Sequence, residues 1–162
     1  MSANRVSLNS SKTQLILFGT KQQLLILDLP LLTSLYHDFK ISSSVRDLGV
    51  TLDNILSFSE HLLHLTHSCY YHPIIPYRRL RAMLTAIVHA FICRRIDYSN
   101  SLFVGLPKVR LFSLQSVLNS AARLIAHIPR FAHIFTYMID VLHWLPIASH
   151  IQYKVLLLVL RT

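Results

Sequence analysis

LPKVRLFSLQSVLNSAARLIAHIPR, residues 106–130, is the most regular stretch of the chain. After Pro107 the apolar residues Leu111, Leu114, Leu118, Ala121 and Ile125 recur every three or four positions, the period of one buried helix face. Gln115, Asn119 and Arg123 share the opposite face, and Pro129, which cannot continue the backbone ladder, ends the segment. The pattern predicts a long amphipathic helix after Pro107.

Upstream, Ser57 and Glu60 have the spacing of a capping box, so a helix is expected from about Phe58 to about His72, broken at Pro73 and Pro76. A second helix is expected over Arg78 to Ile96. Downstream, a shorter one should cover His133 to His143, and Pro146 suits the first position of a last helix through Leu160. The front of the chain differs. TQLILF, Thr13 to Phe18, is β-prone and closes at Gly19, while VRDLGVTLD, Val45 to Asp53, turns at Gly49. Between them QQLLILDLPLL reads as a third strand or as irregular chain. The fold class is therefore α+β, mostly α: a small β-hairpin-like unit over residues 1–58, then a bundle of four to five helices over 59–162.

The chain has 162 residues, of which 52% are hydrophobic and only 14% charged, with a mean hydropathy of +0.45. Whole-chain disorder is excluded by that balance. Sixteen Lys and Arg stand against seven acids, giving a net charge of +9, which suits a polyanionic partner or a membrane surface. Glu60 is the sole glutamate, and no local carboxylate pair exists for acid/base work. The N-terminal stretch lacks the apolar core of a signal peptide, and the apolar runs Ala82–Cys93 and Val155–Leu160 fall short of the roughly 20 residues of a membrane span. Cys69 and Cys93 form neither a disulfide framework nor a metal motif, so a reducing, intracellular setting is expected, nucleus and cytoplasm being equally open.

Five blocks, LNSSKTQLILFGT, SSSVRDLGVTLDNILSFSEH, RRIDYSNSLFVGLP, LQSVLNSAARLIAHIPRFAHI and LHWLPIASHIQYKVLLL, come one after another in an order that resembles the carboxy-terminal half of the reverse transcriptase of non-LTR (LINE-type) retrotransposons. Asn9, Lys12 and Thr13 match the family's Asn-x-x-Lys-Thr stretch. Asp97 and Tyr98 match its Asp-Tyr-Cys-Asn motif, with Ser99 in place of the Cys. His143 and Trp144 fall in its Leu-His-Trp-Leu-Pro block. The resemblance implies that residues 1–58 correspond to the last palm strands and 59–162 to a helical thumb. It also implies RNA-directed DNA synthesis with two Mg²⁺ ions held by palm aspartates. None of the six aspartates here sits in the family's Tyr/Phe-x-Asp-Asp motif. The expectation is a fragment with no polymerase activity of its own, no cofactor and no metal site.

Arg78, Arg79, Arg81, Arg94, Arg95, Lys108, Arg110, Arg123 and Arg130 lie between His72 and Arg130 with Asp97 as the only acid. That cluster suits the phosphates of RNA or DNA, bound without sequence preference; the bland alternative is a solvated basic face. His61, His64, His67, Cys69 and His72 crowd together, but the first three fan over about 120° of an ideal helix, so surface or core histidines are the better reading than zinc. Asp97 is expected to pair with Arg94 or Arg95 or to cap a helix end, and Tyr98 to pack. Trp144 with His143 reads as a core anchor rather than an exposed stacking platform. The thirty leucines leave a second class open, a helical protein that docks on another protein or a membrane surface.

Overall fold

The computed structural model describes residues 9, 12–37, 39–71 and 81–161. The fold is α+β and mostly α, in two compact units, Met1–Glu60 and His61–Thr162.

In the first unit, β1 (Gln14–Leu15) pairs in parallel with β2 (Lys40–Ile41), and β3 (Ser44–Asp47) pairs antiparallel with β4 (Val50–Asp53). The β3–β4 hairpin turns where the sequence indicates. Leu48 and Gly49 both take positive φ, 45° and 85°, as a two-residue turn matching the strand twist requires. The strand expected over Thr13 to Phe18 shrinks to two residues, because β2 offers only two partners. Asn9, Lys12 and Thr13 form a local turn, with the Asn9 carbonyl accepting the Lys12 and Thr13 N–H groups and the Thr13 hydroxyl.

The Leu-rich stretch after Gly19 is neither strand nor irregular. It forms α1 (Lys21–Ile26) and α2 (Leu29–Leu35), and its caps explain why. Thr20 and Gln23 close a capping box, and the Asp28 carboxylate accepts the Leu31 N–H with Pro30 in the first turn, where its missing N–H costs nothing. A parallel β1–β2 pair also needs such a crossover.

Asp53 ends the unit's last strand and shapes the entry to the next helix. Its carboxylate accepts the Ser57 and Phe58 N–H groups at 3.0 and 2.8 Å, holding Leu56 and Phe58 at positive φ. Helix α3 (Ser59–Tyr71) therefore starts one residue later than expected, with the Ser57 hydroxyl accepting the Ser59 N–H. Burial pushes the Asp53 carboxyl up, but hydrogen bonds from the Ser57 side chain and from the Ser57 and Phe58 backbone outweigh it and leave the group below its ordinary value of 3.8. A carboxyl lowered by folding adds stability that is present above its unfolded value and disappears as pH falls through the folded one. Acid titration followed by circular dichroism should show Asp53→Asn to be less pH-dependent than the parent below about pH 4; identical acid profiles would contradict this.

In the second unit, α4 (Arg81–Val88) runs through a π turn (His89–Cys93) into α5 (Arg94–Asp97). A 3₁₀ turn (Asn100–Phe103) then leads to α6 (Lys108–Ala126), α7 (Phe135–Asp140) and α8 (Ile147–Leu160). The expected helix break at Pro73 and Pro76 and the start at Arg78 lie outside the described residues. Helix α6 is central, touching α4, the π turn, α7 and α8. It buries the five expected residues together with Val117 and Ala122. It stops at His127, which takes φ 54° while the Ile128 N–H reaches back to the Arg123 carbonyl, so the helix closes two residues before Pro129. Phe103, Ile96, Leu114, Met138 and Ile147 are sealed in the core.

Two expectations at the end of the chain change. The helix over His133 to His143 is only Phe135–Asp140, and Pro146 caps α8 rather than opening it. For α8 the reason lies in α6: the Gln115 carbonyl oxygen accepts the Ile147 N–H at 2.9 Å, while its amide donates to Asn119 at 2.9 Å. The polar face of α6 is thus a half-buried seam that supplies the start of α8. Among the described residues no helix is long and apolar enough to cross a membrane.

Candidate nucleic-acid interface

The π turn sets which side chains of the α4–α5 rod face out. The Arg94 N–H reaches the His89 carbonyl, five residues back rather than four. Ile92, Cys93 and Ile96 point into the core, and Phe91, Arg94, Arg95 and Tyr98 come to the exposed side at three- and four-residue intervals. Tyr98, expected to pack, is exposed. Lys108, Val109, Arg110 and Phe112 are exposed at the start of α6, whose first turn holds no acid, so the cations and the positive end of the helix dipole add.

Arg94, Arg95, Lys108 and Arg110 are thus all solvent-facing. Arg78 and Arg79 lie outside the described residues, as does the side chain of Arg81, the first residue of α4. Arg123 differs from the others: it is half-buried on the polar seam, and its Nε is enclosed without a hydrogen-bond acceptor.

Asp97 does not pair with Arg94 or Arg95 as expected. Its Oδ1 lies 2.8 Å from Nδ1 of His150, which α8 brings from 53 positions away. The pair borders a cavity of about 110 Å³ whose walls include His89, Cys93, His143 and Trp144. The Cys93 thiol is pushed up to about 12 by burial, with the Asp97 charge and Cys69 adding to the effect. Burial also raises the Cys69 thiol, although the Arg95 charge and a Ser68 hydrogen bond oppose it. Both thiols are therefore protonated at neutral pH and are poor nucleophiles.

Trp144 is buried, and its backbone N–H donates to the Met138 carbonyl at 2.9 Å, so the residue is a core anchor and not a surface platform; His143 beside it is exposed, at φ 55°. His61 is buried with its ring 5.9 Å from that of Phe103, whereas His64 and His67 face out. The donor set does not fit the Mg²⁺ pair that the resemblance implies. Asp53 is occupied by backbone N–H groups, Asp97 by His150, and among the described residues no three His, Cys, Asp or Glu side chains are placed to share an ion. Sequence spacing alone does not single out His150 or Phe112. For Phe91 a signal exists, its three- and four-residue spacing from Arg94 and Arg95.

No protein-family model, curated protein or solved structure matches the chain.

Proposed function

We propose that this chain is a catalytically incomplete piece of the RNA-directed DNA polymerase of a non-LTR retrotransposon, acting inside the cell by weak, sequence-independent binding to RNA or DNA. The observation that carries the binding is the exposure of Arg94, Arg95, Lys108 and Arg110 in a region whose only acid, Asp97, is engaged by His150. Cations set on helices gain affinity by releasing counterions from phosphate, and Asp97 is the only acid in the sequence from His72 to Arg130. The polymerase origin rests on the five sequence blocks, and the absence of the Asp-Asp motif supports the lack of catalysis.

Fluorescence anisotropy with a labelled duplex tests the binding. Four phosphate contacts give a slope of log affinity against log salt of about −3 to −4, and the Arg94→Ala/Arg95→Ala variant lowers its magnitude by about 2. A flat salt response would sink the proposal.

A second reading, docking on another protein or a membrane surface, is favoured by one observation. Leu25 and Ile26 on α1, Leu31 and Leu35 on α2, and Leu156 and Leu160 on α8 are all largely exposed. Flotation with liposomes in place of nucleic-acid binding would favour it.

A further inference from the structure

We propose that the exposed face of the α4–α5 rod is a stacking platform for single-stranded nucleic acid, an inference that rests on the proposed nucleic-acid binding and names its substrate. Phe91 is 50% exposed and Tyr98 57%, and Arg94 and Arg95 stand between them on the same face. One exposed aromatic is ordinary; aromatic, two cations, aromatic in sequence along one face is a pattern with a chemical meaning. The rings offer flat π surfaces, the guanidinium groups offer charge to phosphates, and guanidinium planes also stack on bases.

The same pairing recurs twice. Phe112 is 72% exposed one helical turn beyond Lys108 on α6, and Phe131, 95% exposed, comes directly after Arg130. A duplex cannot use these rings, because its bases are stacked inside and it presents phosphates outward. A single strand has free base faces that an aromatic ring can meet. Phe91 and Tyr98 are separated by about 10 Å along a helix axis, the length of about three stacked nucleotides. Phosphates of the strand would then pass Arg94 and Arg95. The one acid of this segment, Asp97, is held by His150 and does not interrupt the row.

The test compares a fluorescein-labelled 20-mer single strand of mixed sequence with the same strand annealed to its complement, by anisotropy at several salt concentrations. The full chain is expected to bind the single strand more tightly. Phe91→Ala and Tyr98→Ala each weaken single-strand binding about tenfold, leave duplex binding unchanged, and do not alter the salt slope, since no phosphate contact is lost. Tyr98→Phe retains the affinity, which separates loss of a stacking ring from loss of a hydroxyl. Equal affinity for the two forms, or alanine variants that change neither or weaken both alike, would overturn the platform while leaving salt-dependent phosphate binding intact. Salt-independent or absent binding to both forms would overturn the parent reading as well.

Discussion

Phe103→Ala is expected to destabilise the second unit by about 3–5 kcal/mol, the usual result of emptying an aromatic site in a packed core. Phe103 is 1% exposed, in a 3₁₀ turn that packs on α8, and its ring meets that of His61. The vacated space has no route to collapse, because the turn is fixed by helices on both sides: Tyr98 N–H still bonds the Arg94 carbonyl, and α6 begins at Lys108. Whole-domain stability is about 5–15 kcal/mol, so the change removes a large share of it. Urea unfolding followed by circular dichroism reads the effect as a lower midpoint at unchanged slope. A loss below about 1 kcal/mol would show that Phe103 does not occupy a tight core.

Gln115→Leu should cost about 1–3 kcal/mol although it makes α6 more apolar. It removes the oxygen that accepts the Ile147 N–H and the amide that donates to Asn119, leaving a half-buried backbone donor unmet at the first turn of α8. Gln115→Glu keeps an acceptor at that helix start and retains most of the stability, since a carboxylate there is favoured by the helix dipole. Hydrogen exchange at the Ile147 amide distinguishes this cause from repacking. Its protection should fall in Gln115→Leu and persist in Gln115→Glu; unchanged protection in both would refute the capping role.

The legible part of the fold is local. The three- and four-residue period of α6 and the Gly49 turn are signals carried by a few neighbouring residues, and the helix and the hairpin form where those signals place them. The Leu-rich stretch misleads because a run of leucines fits either period. Its helical nature is encoded in the caps, Thr20 with Gln23 and Asp28 with Pro30. Gln115, Asn119 and Arg123 do share one face, but a polar face need not be wet, and this one feeds the start of α8. The Asp97–His150 pair is out of reach of the sequence, since no spacing rule connects residues that only tertiary packing joins. At the interface, cation exposure can be anticipated from charge density. The interleaved aromatics emerge only once burial separates Phe91 and Tyr98 from Ile92 and Ile96.

The π turn at His89–Cys93 also bears on how this chain can change over time. Such a turn is an α-helix carrying one residue more than its two ends require. Dropping the exposed Ala90 would let the segment relax to a regular helix while Val88 before it and Ile96 after it keep their buried places. Single-residue deletions normally swing everything downstream by a fraction of a turn and are purged from helices. Here the rod holds a spare residue, so a change of length can be absorbed in the middle of a core helix.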